Sequence, residues 1–231
     1  LALAEAGADV SITTLRDDAE EEAAATAISS AVRELGRNGS ICRVDLTDPK
    51  AVEAVVDNLE TDIAPFDILV NSQHGANIKP VLDTTVDEWQ REFDRNATSV
   101  FVATQAVGRR MVARGYGRIV TLVSILHDRG IPNAAIFGAS QGAVMGYTKS
   151  LGLEWGRSGV TVNSLGLGFF DDVPGVQRDE EVRAILERYI PLRRLGRPDD
   201  LQGAVVYLCS ELAAFVDSEN VVVDGAIVVH A

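Results

Sequence analysis

Residues 67–72 read DILVNS, and residues 118–124 read RIVTLVS. Both are nearly continuous runs of branched aliphatic residues, which is typical of strands that are covered on both faces. The segment between them, near 86–114, has the length and the apolar spacing of a helical region. A strand, a helix and a second strand of this kind predict a parallel sheet with helices on both of its faces.

The same alternation of strands and helices continues from this unit towards both ends of the chain. The predicted strands are Asp9–Thr14, Ser40–Leu46, Asp67–Ser72, Arg118–Ser124, Val160–Leu165 and Val221–Asp224. The predicted helices lie near 17–36, 49–60, 86–114, 135–157, 179–189 and 199–212. The sequence contains no repeat and no flexible linker, so residues 1–231 are predicted to form one doubly wound α/β domain.

Composition and charge exclude several classes of protein. The chain has 231 residues, of which 46% are hydrophobic and 24% are charged, and this is a globular composition. Its formal net charge of −13 opposes binding to phosphate backbones, so no nucleic-acid partner is expected. Two cysteines, Cys42 and Cys209, are too few for a disulfide framework or a cysteine-rich metal site. We therefore predict no metal ion.

The sequence also bears on localisation. No apolar run approaches the roughly 18 to 20 residues that a membrane-spanning helix needs, so no membrane partner is expected. The first residues lack the basic start and the cleavage pattern of a signal peptide. The two cysteines stand in apolar surroundings, which is typical of reduced core residues. Together these features predict a cytoplasmic protein.

Several segments, taken in order and spacing, resemble the short-chain dehydrogenase/reductase family. They are DILVN at 67–71, RNATSVF at 95–101, GRIVTLVS at 117–124, SLGLEWGRSGVTVN at 150–163, PLRRLGRPDDLQGAVVYLCS at 191–210 and VVVDG at 221–225. The resemblance implies a Rossmann-type doubly wound parallel sheet. It also implies hydride transfer between NADP or NAD and the alcohol or ketone group of a small molecule, whose identity the sequence does not reveal.

The resemblance assigns the family's catalytic positions as follows. Ser124 matches the family's serine, and Asn96 matches its asparagine. Phe137 stands where the family has a tyrosine, thirteen residues after the serine, and Gln141 stands at the lysine position four residues later. Phenylalanine has no proton to donate and glutamine carries no charge, and loss of a general acid costs about 10²–10⁴-fold in rate. Tyr147 does not replace the lost phenol, because it lies ten residues further along the helix, or roughly 15 Å.

The coenzyme site implied by the resemblance is also incomplete. The family begins with a strand and a glycine-rich turn that binds the pyrophosphate, whereas residues 1–7 of this chain resemble the second half of the helix that follows. The absent strand is central in such a sheet, so we expect unpaired strand edges and an open apolar seam. We attribute the absence to upstream residues of the natural protein. A gene fragment that folds poorly is the alternative.

Four residues are assigned to the coenzyme by the resemblance. Asp45 matches the residue at the adenine edge, Asn71 begins the segment that matches Asn-Asn-Ala-Gly, and Gly168 matches the glycine of a Pro-Gly pair. Thr14 replaces the acidic residue that holds an NAD ribose, and with Arg16 nearby the expected coenzyme is NADP rather than NAD. Three departures weaken the expected binding, and they are Gln73, His74 and Asp172.

These assignments support three functional hypotheses. The first is an impaired or inactive relative, which forms homo- or hetero-oligomers with subunits of the family through the helices near 86–114 and 135–157. The second is a working NADP-dependent reductase that uses Ser124, Asn96 and an ordered water. The third is a small-molecule or nucleotide binding module. A replacement base formed by His127 and Asp128 is conceivable, but an ordinary loop histidine is the favoured interpretation.

Overall fold

The protein is described by a computed structural model that covers residues 1–15, 19–72, 75–171 and 180–229. Within these residues the strands are β1 Val10–Thr14, β2 Gly39–Arg43, β3 Ile68–Asn71, β4 Gly117–Ser124, β5 Val160–Leu167 and β6 Asn220–Val223. The α-helices are α1 Ala2–Glu5, α2 Ala19–Glu34, α3 Pro49–Asp62, α4 Val86–Phe93, α5 Ser99–Arg114, α6 Ala135–Trp155, α7 Glu180–Tyr189 and α8 Asp199–Cys209. The predicted α/β fold is confirmed.

The described strands form two parallel sheets rather than one. In the first, β1 pairs with β2, and in the second the order is β3-β4-β5-β6. All pairings are parallel, with Ile12 opposite Ile41 in the first sheet and Ser124 opposite Leu167 in the second. Among the described strands, β1 pairs only with β2, and β3 pairs only with β4.

The core explains why the sequence of the central strands is nearly continuously apolar. Every residue of β5 is buried, and in β4 all but Leu122 are buried. Ile119 and Val162 pack with residues of α3, α5 and α6 on one face of the sheet. Val120 and Leu165 pack with α8 on the other face. Because helices cover both faces, each position in these strands has an apolar neighbour.

The predicted helix near 86–114 is interrupted, which corrects the prediction of one continuous helix. Its two parts, α4 and α5, are joined by a π-helical turn at Asp94–Thr98. Asn96 lies in this turn and is 1% exposed. Its Oδ1 accepts from the Gly75 amide at 3.1 Å, and its Nδ2 donates to the Gly75 carbonyl at 2.8 Å. The π-helical turn thus directs Asn96 inwards. The hydrogen bonds of Asn96 to Gly75 connect this turn to the segment after β3.

A buried carboxylate supports this turn. Glu92 is 3% exposed, and its Oε1 accepts from the Asn77 amide at 3.3 Å and from Asn96 Nδ2 at 3.1 Å. Desolvation raises the pKa of Glu92 above its usual 4.5, against the opposing effects of these hydrogen bonds and of the nearby Arg95 charge. The ionised form of Glu92 is therefore penalised in the folded protein.

We predict that Glu92→Gln changes how the free energy of unfolding depends on pH. Because the folded pKa is raised, the folded protein binds more protons than the unfolded chain, and stability falls as pH rises through the interval above 4.5. Glutamine cannot ionise, so the stability of Glu92→Gln relative to wild type should improve between pH 4.5 and pH 7.5. Urea unfolding at several pH values measures this difference. The exposed Glu154 provides the control variant Glu154→Gln, and an identical pH profile for the two variants would contradict the prediction.

Candidate active site

The residues assigned to catalysis meet where β4 ends and α6 passes over it. Ser124 is the last residue of β4 and is 8% exposed. Its Oγ accepts from the Leu126 amide at 3.2 Å and so begins the 3₁₀ turn Ile125–His127. A hydroxyl that accepts one hydrogen bond can still donate its own proton, so this contact leaves Ser124 able to bind a substrate oxygen.

Gln141 is held against the same residue. Its side chain is 2% exposed, and its Oε1 accepts from the Ser124 amide at 2.8 Å. The carboxamide therefore satisfies a buried backbone donor at the carboxyl end of β4. The structure brings Ser124 and Gln141 together, and the group that Gln141 presents to the end of β4 is neutral.

Phe137 packs in an apolar cluster one turn before Gln141. The ring is 3% exposed, and its buried neighbours in the cluster are Ile125, Leu126, Ala134, Ile190, Leu195 and Ile227. This environment favours a hydrocarbon ring and provides no proton. Phe137 thus acts as a packing residue that joins the start of α6 to the 3₁₀ turn after β4.

Asn96 reaches α6 but is fully engaged in structural contacts. Besides its bonds to Gly75 and Glu92, its Nδ2 lies 3.2 Å from Ser140 Oγ. Ser140 in turn donates to the carbonyl of Phe137 at 2.8 Å. Asn96 therefore connects three elements, which are the π-helical turn, the segment after β3, and α6. Its hydrogen bonds hold these elements together.

The candidate replacement groups are directed elsewhere. The His127 Nε2 lies 3.2 Å from Asn220 Nδ2 at the start of β6, and burial lowers the pKa of His127 below its usual 6.5. The Tyr147 ring contacts Phe101 on α5, with ring centroids 5.9 Å apart. Burial raises the pKa of Tyr147 to about 12, so this phenol stays protonated and cannot serve as a base near neutral pH.

The residues assigned to the coenzyme lie in separate places. The Asp45 carboxylate follows β2 and accepts from the amide and the hydroxyl of Thr47 at 2.8 and 2.7 Å, contacts that lower its pKa. Asn71 ends β3 and is 1% exposed. A Cβ on Gly168 would lie 2.6 Å from the Asp224 Cα, so only glycine allows this close approach after β5.

The predicted coenzyme contact Arg16 lies outside the described residues, and so do the three departures that weaken the expected binding, Gln73, His74 and Asp172. Sequence reasoning missed Glu92 and Ser140. A signal for Glu92 exists, because it precedes Asn96 by four residues and so shares its helix face. Among the described residues, no group of three or more His, Cys, Asp or Glu side chains could hold a metal ion. No described helix is long and apolar enough to cross a membrane.

Comparisons with known proteins find similar sequences and folds. A family model described as enoyl-(acyl carrier protein) reductase matches residues 1–227. A 2-dehydro-3-deoxy-D-gluconate 5-dehydrogenase of Pseudoalteromonas atlantica is 33% identical over 232 residues, which span 97% of this chain and 88% of the relative. A 3-oxoacyl-[acyl-carrier-protein] reductase of Escherichia coli is 32% identical over 83% of this chain and 78% of its own.

A solved structure is similar over the whole chain. The gluconate 5-dehydrogenase of Burkholderia cenocepacia, crystallised in complex with NADP and tartrate, superposes with a TM-score of 0.91 at 31% identity. The match covers 100% of this chain and 89% of that one. With the family model matching nearly every residue and the Ser124 site formed at the end of β4, the chain belongs to the short-chain dehydrogenase/reductase family of oxidoreductases.

Proposed function

We propose that this protein is a catalytically impaired member of its family that acts as a partner subunit in an oligomer. The observation that carries the proposal is the pair of residues on α6. Phe137 is buried in an apolar cluster, and the carboxamide oxygen of Gln141 accepts a hydrogen bond from the Ser124 amide. Neither side chain can transfer a proton, and His127 and Tyr147, the candidate replacements among the described residues, contact Asn220 and Phe101 instead.

The chemistry of the family's reaction explains the consequence. Reduction of a ketone places negative charge on its oxygen, which must receive a proton. In this site Ser124 can donate a hydrogen bond to that oxygen, but the hydroxyl has no described base or acid beside it to complete a proton transfer. The expected penalty for the absent general acid is about 10²–10⁴-fold in rate.

The residues that the resemblance assigns to NADP or NAD differ in their contacts. The nicotinamide coenzyme supplies the hydride in this family, and related solved structures contain NADP or NADPH. In this chain the Asp45 carboxylate follows β2, at the position that the resemblance assigns to the adenine edge of the coenzyme. The Asn71 Nδ2, in contrast, donates to Thr104 and Thr121 at 3.0 and 3.1 Å and so is not free to bind the coenzyme. We therefore propose that NADP(H) binds weakly.

We predict that Phe137→Tyr combined with Gln141→Lys raises reductase activity by at least about 10²-fold over wild type, because the pair restores the acid and the cation that lowers its pKa. The assay is NADPH oxidation with a 3-oxoacyl thioester, and NADP reduction with gluconate, at saturating coenzyme. The single variants are the controls, and each should gain much less than the pair. Wild-type turnover equal to that of the double variant would refute the proposed impairment.

A second candidate function is slow reduction that depends on Ser124 alone, and the position of its hydroxyl at the end of β4 favours it. This candidate requires wild-type turnover above background that Ser124→Ala abolishes. Since Asn96 is committed to internal contacts, the serine is the group that this candidate depends on.

We predict that NADPH, titrated into the wild-type chain and followed by its fluorescence, does not saturate the protein below millimolar concentration. The physical reason is that the Asn71 Nδ2 already donates to Thr104 and Thr121, and that the neutral Gln141 offers no charge to the coenzyme. ATP and NMNH are the matched controls for the two halves of the coenzyme. Saturation in the micromolar range would overturn the proposal of weak binding.

We predict that the protein self-associates through α5 and α6. Phe101 on α5 is 44% exposed and Leu153 on α6 is 84% exposed, which leaves large apolar side chains on the helices that the resemblance assigns to subunit contacts. Phe101→Glu would place a charge in that contact and shift the equilibrium towards monomer. Sedimentation velocity at several concentrations measures the shift, with the exposed Glu154→Gln as control. A monomeric wild type at tens of micromolar would contradict this prediction.

A further inference from the structure

The sequence contains one asparagine that is followed directly by glycine, and this pair, Asn38-Gly39, lies between α2 and β2. Asn38 is exposed, and Gly39 is the first residue of β2. Asparagine is a thermolabile residue, because the backbone nitrogen of the next residue can attack the carbon of its carboxamide. A glycine in that next position leaves the nitrogen unshielded by a side chain. The pair thus combines an accessible carboxamide with an unshielded amide nitrogen.

A close contact between α2 and β2 requires glycine at position 39. A Cβ on Gly39 would lie 2.5 Å from the carbonyl oxygen of Ser29, a fully buried residue of α2. Because the interior is close-packed, any side chain at this position would force α2 away from the strand. The packing of α2 therefore excludes the substitutions that would shield the Gly39 nitrogen.

The Gly39 amide is not used in the pairing of β1 with β2. Gly39 lies opposite Val10, and the Val10 amide donates to the carbonyl of Asn38 at 2.8 Å. In a parallel ladder, the residue opposite such a donor directs its own N–H and C=O away from the neighbouring strand. Accordingly, the Gly39 carbonyl accepts from the Arg33 guanidinium at 3.0 Å. Since β2 pairs only with β1 among the described strands, the Gly39 N–H lies at the outer edge of the sheet.

Two charged residues lie beside Asn38. The Asp9 carboxylate accepts from the Asn38 amide at 2.8 Å and from the Asn38 Nδ2 at 3.2 Å, and it pairs with Arg37 at 3.2 Å. The hydrogen bond from the Asn38 amide lowers the pKa of Asp9 below its usual 3.8, so Asp9 is ionised near neutral pH. An acid in place of the Asn38 carboxamide would lose the Nδ2 donor and face a like charge.

We propose that Asn38-Gly39 is a site of spontaneous modification, at which deamidation converts Asn38 into a mixture of aspartate and isoaspartate. First, the Gly39 nitrogen bonds to the Asn38 Cγ and the bond from Cγ to Nδ2 breaks. Nδ2 leaves as ammonia with the proton of the Gly39 amide, and a cyclic imide remains. Water then opens the imide at Cγ to give aspartate, or at the main-chain carbonyl carbon to give isoaspartate. The only co-reactant is water, and no group is oxidised or reduced.

The isoaspartate product changes the main chain at the start of β2. The chain then runs through the Cβ of the former Asn38, which inserts one extra carbon before the Gly39 nitrogen. This insertion displaces the hydrogen bond between Val10 and Asn38 and the contact of Gly39 with Ser29. Strand β2 leads to Asp45, the residue that the resemblance assigns to the adenine edge. We therefore expect modification to loosen the pairing of β1 with β2 and to leave the four-stranded sheet unchanged.

The test is incubation of the purified wild-type chain at mildly alkaline pH, followed by peptide mapping with mass spectrometry. We expect the carboxamide NH₂ of Asn38 to be replaced by OH at least about tenfold faster than at the other asparagines, which precede residues with side chains. Asn71 and Asn163 are internal controls, because each precedes serine but they are only 1% and 0% exposed. A synthetic peptide of residues 36–41 shows when the conditions suffice for reaction. An intact Asn38 once that peptide has reacted, or equal rates at all asparagines, would overturn the proposal.

Isoaspartyl methyltransferase labels the carboxyl group of isoaspartate and so separates the two products. We expect the label in incubated wild type and not in Asn38→Gln, because glutamine keeps a carboxamide but must close a larger ring. Hydrogen exchange in Gly39–Arg43 should accelerate in the labelled protein, while exchange in Val160–Leu167 stays the same. Asn38→Asp adds the charge without the extra carbon and should accelerate exchange less. Equal labelling of Asn38→Gln, or unchanged exchange in Gly39–Arg43, would contradict the proposal, and neither readout needs turnover or NADPH.

Discussion

The parallel ladder between β4 and β5 is the constraint on which the described site depends. It pairs eight successive residues, from Gly117 with Val160 to Ser124 with Leu167, and almost every side chain in it is buried. Because both strands pack on both faces, their register cannot shift without moving core residues into the wrong layer. That fixed register places Ser124 at the strand end, where α6 brings Gln141 to within 2.8 Å of the serine amide.

The contact between Ser124 and Gln141 shows why a glutamine, at the position that the resemblance assigns to a lysine, is compatible with a stable interior. A glutamine carboxamide has an oxygen that accepts the buried Ser124 amide proton, whereas a lysine ammonium has only donors. The same site packs Phe137 against Ile125 and Leu126, with no partner required for a phenol oxygen. Both side chains thus favour a closed core, in which the buried polar groups have hydrogen-bond partners, over a pair that transfers protons. At these two positions, the side chains that stabilise the core are not the ones that transfer a proton.

The sequence predicts the elements that depend on local pattern. Continuous apolar runs locate β3, β4 and β5, because their residues are covered on both faces. The π-helical turn at Asp94–Thr98 could not be predicted in this way, since it depends on contacts between Asn96 and residues distant in the chain, Gly75 and Ser140. Likewise, the burial of Glu92 arises from the loop that follows β3 and not from its own helix. Spacing placed Phe137 and Gln141, but only the structure shows what Gln141 binds.

The residues assigned to catalysis and the residue assigned to the adenine end of the coenzyme belong to different sheets. Ser124, Phe137 and Gln141 belong to the four-stranded sheet and its helix α6, whereas Asp45 follows β2 of the two-stranded sheet. The contact between Ser124 and Gln141 lies within the four-stranded sheet and α6, so it forms independently of the two-stranded sheet. A ligand that touches both Asp45 and Ser124 must instead bridge the two sheets, and its affinity depends on how firmly they are held together.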